Sequence, residues 1–482
     1  MRSMIKISRS KYYAWFLTLL LIMISGYIAL YRLGFSPFEN WDEAWYADMT
    51  RNILKTGELI VLKWNFFPLL DKPPLYMWLS TGVSFILGLN EFSFRLVSAV
   101  CGMSVIIATV MLSYRWYGKI SAFFAFGTLA CNHLFIWRIR SGNLDSLLTA
   151  LIFLIFILCL RSWKYRYEAI GFVFALIYLS KLTVVFFPLV GFLLSELIYN
   201  RKTLVFNIER FILGVFFFFI PVGIWLQLGK LEVGDVFIQY YLFGADQGVS
   251  KMRLAFFNKD YIDHLYYALQ RRFFWVFLVG VGVSVRLLKQ KKNFLILFFA
   301  LALLFQLSFT ERNNNWYLLP SMPFWSLLVA GGISWIIKKI RFYPIILSIF
   351  LISTYLFGKT FFVNIMPIIN SYGPVDQKES ALKIRSLTLP DEVIVRLDHL
   401  YPTTIYYSER KILASPDGSS GETQLFIGRA ELMTAIQEKK IKWMVGKTGD
   451  VDVMMKKLSD NNCERIPING TEDIIHCPKT NL

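Results

Sequence analysis

Residues 41–49, "WDEAWYADM", follow a long apolar run (12–30) and carry three carboxylates, Asp42, Glu43 and Asp48. A run of that length matches the ~20 residues that cross a hydrocarbon core as a helix, so the acidic stretch begins where the chain leaves the membrane. Arg2, Lys6, Arg9 and Lys11 precede the run, and no small-residue cleavage site follows Leu30, so it reads as a first span rather than a removed secretory signal.

Outward from this stretch the same grain repeats. The 482-residue chain is 56% hydrophobic and 17% aromatic, with a mean hydropathy of +0.49, a composition of membrane proteins. Apolar runs recur to about Gly358, after which the composition becomes ordinary. Candidate spans at 12–30, 92–113, 120–137, 145–161, 167–180, 182–199, 206–228, 272–288, 293–309, 316–337 and 342–358 make about eleven. With the N-terminus cytoplasmic, every second connection is basic: Arg115/Lys119, Arg161/Lys164/Arg166, Arg201/Lys202, Arg286/Lys289/Lys291/Lys292 and Lys338/Lys339/Arg341. This parcelling accounts for the net charge of +18 without a nucleic-acid partner. Counting 73–88 as a span would reverse the parity, so that stretch is expected to lie along the outer surface, like a helix near 42–56 capped by Asn40 or Asp42. The expected fold is a polytopic α-helical membrane protein, a membrane domain over 1–360 followed by a non-cytoplasmic α/β domain over 361–482.

In this topology the polar residues that loop charge does not explain all fall on the non-cytoplasmic side. They are "WDEAWYAD", "DKPP" (71–74), "RIRSGNLD" (138–145), "SKLT" (180–183), the long loop 229–271 and "TERNNNWYLLP" (310–320). Ionisable groups at membrane depth are costly and tend to mark function. Plainer roles exist for each: Asp42 and Glu43 complement a helix dipole, Asp145 caps a helix, and Lys72 or Lys181 snorkels to headgroups. Together, however, carboxylates and cations at one face suit a reaction in which a base takes a proton while a phosphate is held or leaves.

The ordered motifs "DEAWYADMTRNILKTGELIV", "DKPPLYMWL", "GLNEFSFRLVSA", "RSGNLDSLLT", "SKLT" and "NNNWYLLPSMPFWSLL" resemble the polyprenyl-phosphate-sugar glycosyltransferases of the GT-C class, over roughly residues 10–340. The similar branches are the lipid A aminoarabinose transferases and the protein O-mannosyltransferases. The resemblance implies inverting transfer of a monosaccharide from a polyprenyl (undecaprenyl) phosphate carrier to lipid A, another envelope glycan or a protein, at the periplasmic face of a bacterial inner membrane. It puts Asp42 at the catalytic carboxylate, with Glu43 beside it, and Lys72, Lys181 and Tyr317 near the carrier phosphate, with Arg312 as a helper. The aminoarabinose branch has an arginine where this chain has Trp45, and a metal-binding histidine where "FIQYYLFGADQG" offers Gln239, Tyr240 and Tyr241. Asp71 and Asp145 make a poor zinc set, and a hard divalent cation such as Mg²⁺ stays open. A transporter or flippase, or a non-catalytic envelope scaffold, would use a similar bundle.

In the tail, helices are expected at 376–387, 431–440 and 451–460 and strands at 392–397 and 441–446, an alternation of α/β units. "CERIPI" and "DIIHC" flank Asn469-Gly470, a hairpin signal that would bring Cys463 and Cys477 together as a disulfide. Cys101, Cys131 and Cys159 lie in apolar runs and read as packing residues.

Overall fold

The computed structural model describes residues 17–243, 259–308, 314–371, 373–416, 425–438, 440–458 and 462–478. The chain divides into two compact units, the first comprising Met1–Leu33, Leu70–Val83 and Arg95–Ser371, the second Gly34–Leu69, Ser84–Phe94 and Tyr372–Leu482.

The first unit is helical, and a helix lies in each of the eleven apolar segments. Among the described residues, five helices are long and apolar enough to cross a membrane: Glu91–Tyr117, Ile208–Val233, Lys291–Ser308, Asn315–Lys339 and Tyr343–Ile369. A sixth crossing forms if Lys119–Ala130 and His133–Arg140, bent by 64°, count as one. Leu17–Leu30, Leu144–Leu160, Phe186–Tyr199 and Phe274–Arg286 are shorter apolar helices. Within a bilayer, helices associate by close packing rather than by escape from water. Here a Cβ on Gly171 would stand 1.8 Å from the Gly214 carbonyl oxygen, so two helices cross backbone to backbone. Elsewhere aromatic rings fill the space: Phe299 stacks on Phe324 at 5.1 Å, and Phe156 meets Phe324 edge-on at 5.0 Å. One expectation fails, because unexplained polar groups are not confined to one face. Glu196, 1% exposed near the end of Phe186–Tyr199, accepts hydrogen bonds from Arg166 at 2.6 Å, Tyr167 at 2.9 Å and Lys291 at 3.0 Å, tying three helices together. Arg166 and Lys291, counted as loop charge in the sequence, are its partners.

In the second unit, the helix Asp42–Thr56 precedes a hairpin of β1 (Lys63–Trp64) and β2 (Phe67–Pro68). Its two-residue turn, Asn65-Phe66, holds both φ angles positive, 51° and 69°, as a type I′ hairpin turn requires. Asn65 meets that demand through its partners: its amide nitrogen donates to the Ile412 carbonyl at 2.6 Å, its side-chain oxygen accepts from Ile412 N–H at 2.9 Å, and its backbone N–H donates to Asp48.

A five-stranded mixed sheet follows, with β3 (Val393–Arg396), β4 (Lys411–Ala414), β5 (Trp443–Lys447), β6 (Glu464–Pro467) and β7 (Glu472–His476) in the order β4-β3-β5-β7-β6. β3 runs parallel to β4 and β5, while β7 runs antiparallel to β5 and β6. Val395, Leu432, Met444, Val451 and Ile475 form its buried core. The helices Val375–Leu387, Arg429–Gln437 and Thr448–Lys457 answer to the expected ones. β4 and the helix Pro402–Ser408 were not anticipated. Cys463 and Cys477 are disulfide-bonded. The hairpin turn takes a different form from the expected tight one: Pro467 pairs with Asp473, and the Asn469 side chain accepts from the N–H groups of Thr471 and Glu472, a local side-chain turn rather than a two-residue loop.

Candidate active site

The first unit gathers its polar groups at the ends of apolar helices. "RSGN" halts His133–Arg140, and Asn143 then caps Leu144–Leu160 by accepting from the N–H groups of Asp145 and Ser146. Asp145 is therefore not the cap. It lies in the first helical turn, 8% exposed, with Oδ2 on the Arg138 guanidinium and Oδ1 3.5 Å from Lys181 Nζ. Lys181 is extended (φ −159°), between the end of Arg166–Tyr178 and a short 3₁₀ turn at Leu182–Val184, so "SKLT" breaks the helix where the lysine is needed. Its ammonium sits 4.2 Å over the Tyr317 ring, and Arg138 lies 5.5 Å from the Trp316 ring. Two cations thus share one buried carboxylate and two aromatic faces. The cluster keeps net positive charge, and Lys181, 27% exposed, can present it to an anion.

Asp71 and Lys72 pair at 2.8 Å. The Tyr240 hydroxyl donates to Asp71 at 3.4 Å, the Tyr241 hydroxyl donates to the Lys72 carbonyl at 3.1 Å, and Tyr178 donates to the Tyr241 carbonyl at 3.1 Å. After the stiff Pro73-Pro74 step, Leu75 N–H bonds the Leu179 carbonyl at 3.0 Å, which ties this strand of chain to the segment leading into Lys181. The tyrosines standing where a histidine was looked for are hydrogen-bonded scaffold. Asp71 faces the Lys72 ammonium and the Tyr240 hydroxyl, and Asp145 faces Arg138 and Lys181. Among the described residues no three His, Cys, Asp or Glu side chains gather to hold a metal ion.

The remaining sequence candidates divide. Asp42 and Glu43 open the helix Asp42–Thr56 in the second unit, where Trp41, with φ 64°, occupies the N-cap position expected of Asn40 or Asp42 and makes no side-chain cap hydrogen bond. Glu43, 3% exposed, accepts the Glu39 N–H at 2.7 Å and so pins the entering chain, whereas Asp42 is partly exposed. Asp48, fully buried, is a structural anchor that holds Arg51, Asn52 and the Asn65 N–H. Arg312 lies outside the described residues. Arg138 was quoted within "RIRSGNLD" but not singled out; an arginine between Trp137 and Ile139 in an apolar stretch was the available signal.

A helical bundle bearing cation-rich clusters, with a mixed α/β unit, defines a class. The fold is shared with solved membrane proteins, and residues 71–225 match the family described as Dolichyl-phosphate-mannose-protein mannosyltransferase. Among solved structures it resembles ArnT from Cupriavidus metallidurans in the apo state, with a TM-score of 0.74 and 14% identity over 96% of this chain and 98% of that one. The same protein bound to undecaprenyl phosphate gives a TM-score of 0.72 at the same identity and coverage. The oligosaccharyltransferase of Archaeoglobus fulgidus, tethered with an acceptor peptide, gives 0.55 at 11% identity, over 90% of this chain and 69% of that one. Two uncharacterized proteins of Aquifex aeolicus (strain VF5) are 26% identical over 351 residues and 29% identical over 215. The chain spans 65% of the length of the first and 40% of the second. With this fold and five to six candidate spans, it is an integral membrane protein.

Proposed function

We propose that this chain transfers a monosaccharide, with inversion, from a polyprenyl phosphate carrier (undecaprenyl phosphate in a bacterial host) to an acceptor of the cell envelope such as lipid A, another glycan or a protein. The carrying observation is the cluster of Arg138, Lys181 and Tyr317 around Asp145, in a chain whose fold is that of an undecaprenyl-phosphate-binding ArnT. Lys181 and Lys72 hold the carrier phosphate and stabilise the charge it gains as it leaves. Asp42 takes the proton from an acceptor hydroxyl. The acceptor oxygen bonds to the anomeric carbon from the face opposite the phosphate, the carbon–oxygen bond to phosphate breaks with its electron pair, and polyprenyl phosphate departs. About eleven spans, a cytoplasmic N-terminus and a periplasmic α/β unit complete the reading, supported by the alternation of loop charge.

The test is reconstitution into liposomes with tritiated polyprenyl-phosphate sugars extracted from the host, together with host envelope lipids and glycans. Label should pass to an acceptor with stoichiometric release of polyprenyl phosphate, and the new linkage should carry the opposite anomeric configuration. Label that crosses the bilayer still joined to its carrier, with no phosphate released, would make the chain a transporter.

A further inference from the structure

The second unit carries a cleft of about 500 Å³ that the transfer reading does not use. Asp376, Tyr401, Lys447, Thr448, Asn469 and Glu472 line it. Its place follows from topology. From β3 the chain leaves through Pro402–Ser408 towards β4, and from β5 it leaves through Thr448–Lys457 towards β6 and β7, on the other side. Adjacent parallel strands whose connections diverge leave a crevice at their carboxyl ends, the habitual ligand site of open α/β sheets. The volume lies within the ~300–1,000 Å³ of small-molecule sites.

The wall is built rather than incidental. Arg396, 1% exposed, is gripped through two nitrogens by Asp398 at 2.9 and 3.1 Å, donates to Thr404 at 3.1 Å and to Glu472 Oε1 at 2.6 Å, and lies 4.5 Å from the Tyr401 ring. Asn469 fixes the opposite rim, donating to Ser380 at 3.0 Å while accepting from Thr471 and Glu472. Glu472 Oε2 is buried and has no hydrogen-bond partner among the described residues. A buried carboxylate oxygen without a partner is costly, and here the same carboxylate is held in place by Arg396 through Oε1.

We infer that this cleft binds a neutral saccharide, one or two sugar units in length. The lining offers acceptors at Asp376 and Glu472, donors at Lys447 and at the Gly449 amide in the first turn of Thr448–Lys457, a two-way hydroxyl at Thr448, and a Tyr401 ring for the apolar C–H face of a pyranose. Two carboxylates disfavour an anion. Lys447, the buried Arg396 and the helix N-terminus disfavour a cation. The inference rests on the cleft alone and stands or falls apart from sugar transfer.

The full-length protein in detergent is titrated with N-acetylglucosamine and its β-1,4-linked dimer, read by saturation-transfer NMR, with glucosamine and glucose 6-phosphate as charged counterparts. An added Cβ at Gly449 or Gly470, both on the cleft, would meet nothing within 4 Å, so Gly449→Trp and Gly470→Trp should plug it without disturbing the sheet, while Gly449→Ala should not. Saturable signal from a neutral sugar, kept in Gly449→Ala and reduced at least tenfold in either tryptophan variant at unchanged melting temperature, supports the site. No saturable signal from either neutral sugar, a signal indifferent to both tryptophans, or a stronger response to a charged sugar overturns it. Loss of transfer in the liposome assay with saccharide binding intact would leave this inference in place.

Discussion

Asp42 and Glu43 are neighbours in sequence, and the fold treats them differently. Glu43 is buried and spends an oxygen on the Glu39 N–H, while Asp42 is partly exposed at the start of the same helix. Asp42→Asn keeps the size and removes the basicity, so turnover of the lipid-linked sugar should fall by about 10²-fold or more, as for loss of a general base, at unchanged melting temperature. Full activity in that variant would remove Asp42 from the reaction. Glu43→Gln should instead cost stability, about 1–3 kcal/mol for a weakened hydrogen bond to a charged group. Lys181→Met keeps the stem and deletes the charge; carrier-phosphate titration should show affinity weakened by about tenfold or more, the loss of a charge-assisted hydrogen bond, and unchanged affinity would return Lys181 to a packing role. The candidate positions were legible because charged residues interrupt apolar runs. Their pairing was not, since Arg138, Asp145 and Lys181 meet only when three chain segments fold together, and the carboxylate that looked like a cap proved to be the ion partner while Asn143 does the capping.

Elements were legible where apolar runs or turn signals mark them and illegible where local residue preference opposes the fold. The apolar runs and the alternating helices and strands of the tail stand out, but "PTTIYYS" carries β-branched and aromatic residues although it folds as the helix Pro402–Ser408 behind its proline. That helix carries a testable acid dependence. Glu409, just beyond its end, would be raised by burial, but a hydrogen bond and the charge of Lys55, with Arg51 and Arg385, hold its carboxyl below the usual glutamate range. A carboxyl depressed in the folded state contributes stability above its unfolded pKa and loses it as pH falls through the folded value. Thermal melts should therefore separate wild type from Glu409→Gln at neutral pH and converge as the pH falls below the usual glutamate range; a gap that persists in acid would mean the glutamate acts by packing. In the first unit Glu196 is the matching case without solvent. Glu196→Ala strands Arg166 and Lys291 in a buried site and should cost about 3–5 kcal/mol, seen as a lower melting temperature in detergent. A shift no larger than that of an exposed substitution would show that lipid or water already solvates those cations.

At the scale of the whole molecule, the sidedness of the chain rests on charge alternation and on one covalent bond. Lys and Arg fall in every second connection when the N-terminus is cytoplasmic, and the proposed odd number of spans would then put the second unit on the other side. The bond between Cys463 and Cys477 belongs with that placement, because an oxidising compartment preserves a disulfide and a cytosolic one reduces it. Its loop is short, 14 residues apart in sequence, yet closing a loop of that size removes about 3 kcal/mol of unfolded-chain entropy. Cys477 is also part of the buried core, so Cys463→Ala isolates the cross-link better than Cys477→Ala. Cys463→Ala in the full chain should lower the apparent stability of the second unit by about 2–4 kcal/mol in a denaturant titration, with the first unit's transitions unmoved. The same cysteines report sidedness directly. In intact cells, an impermeant maleimide should label 463 and 477 only after an impermeant reductant has been added, while Cys101, Cys131 and Cys159, intermediate or buried, stay unlabelled throughout. Labelling that needs no reductant would mean the pair is open in the cell. Labelling that appears only after the inner membrane is breached would put the second unit in the cytoplasm, and the parity argument for about eleven spans would fall with it.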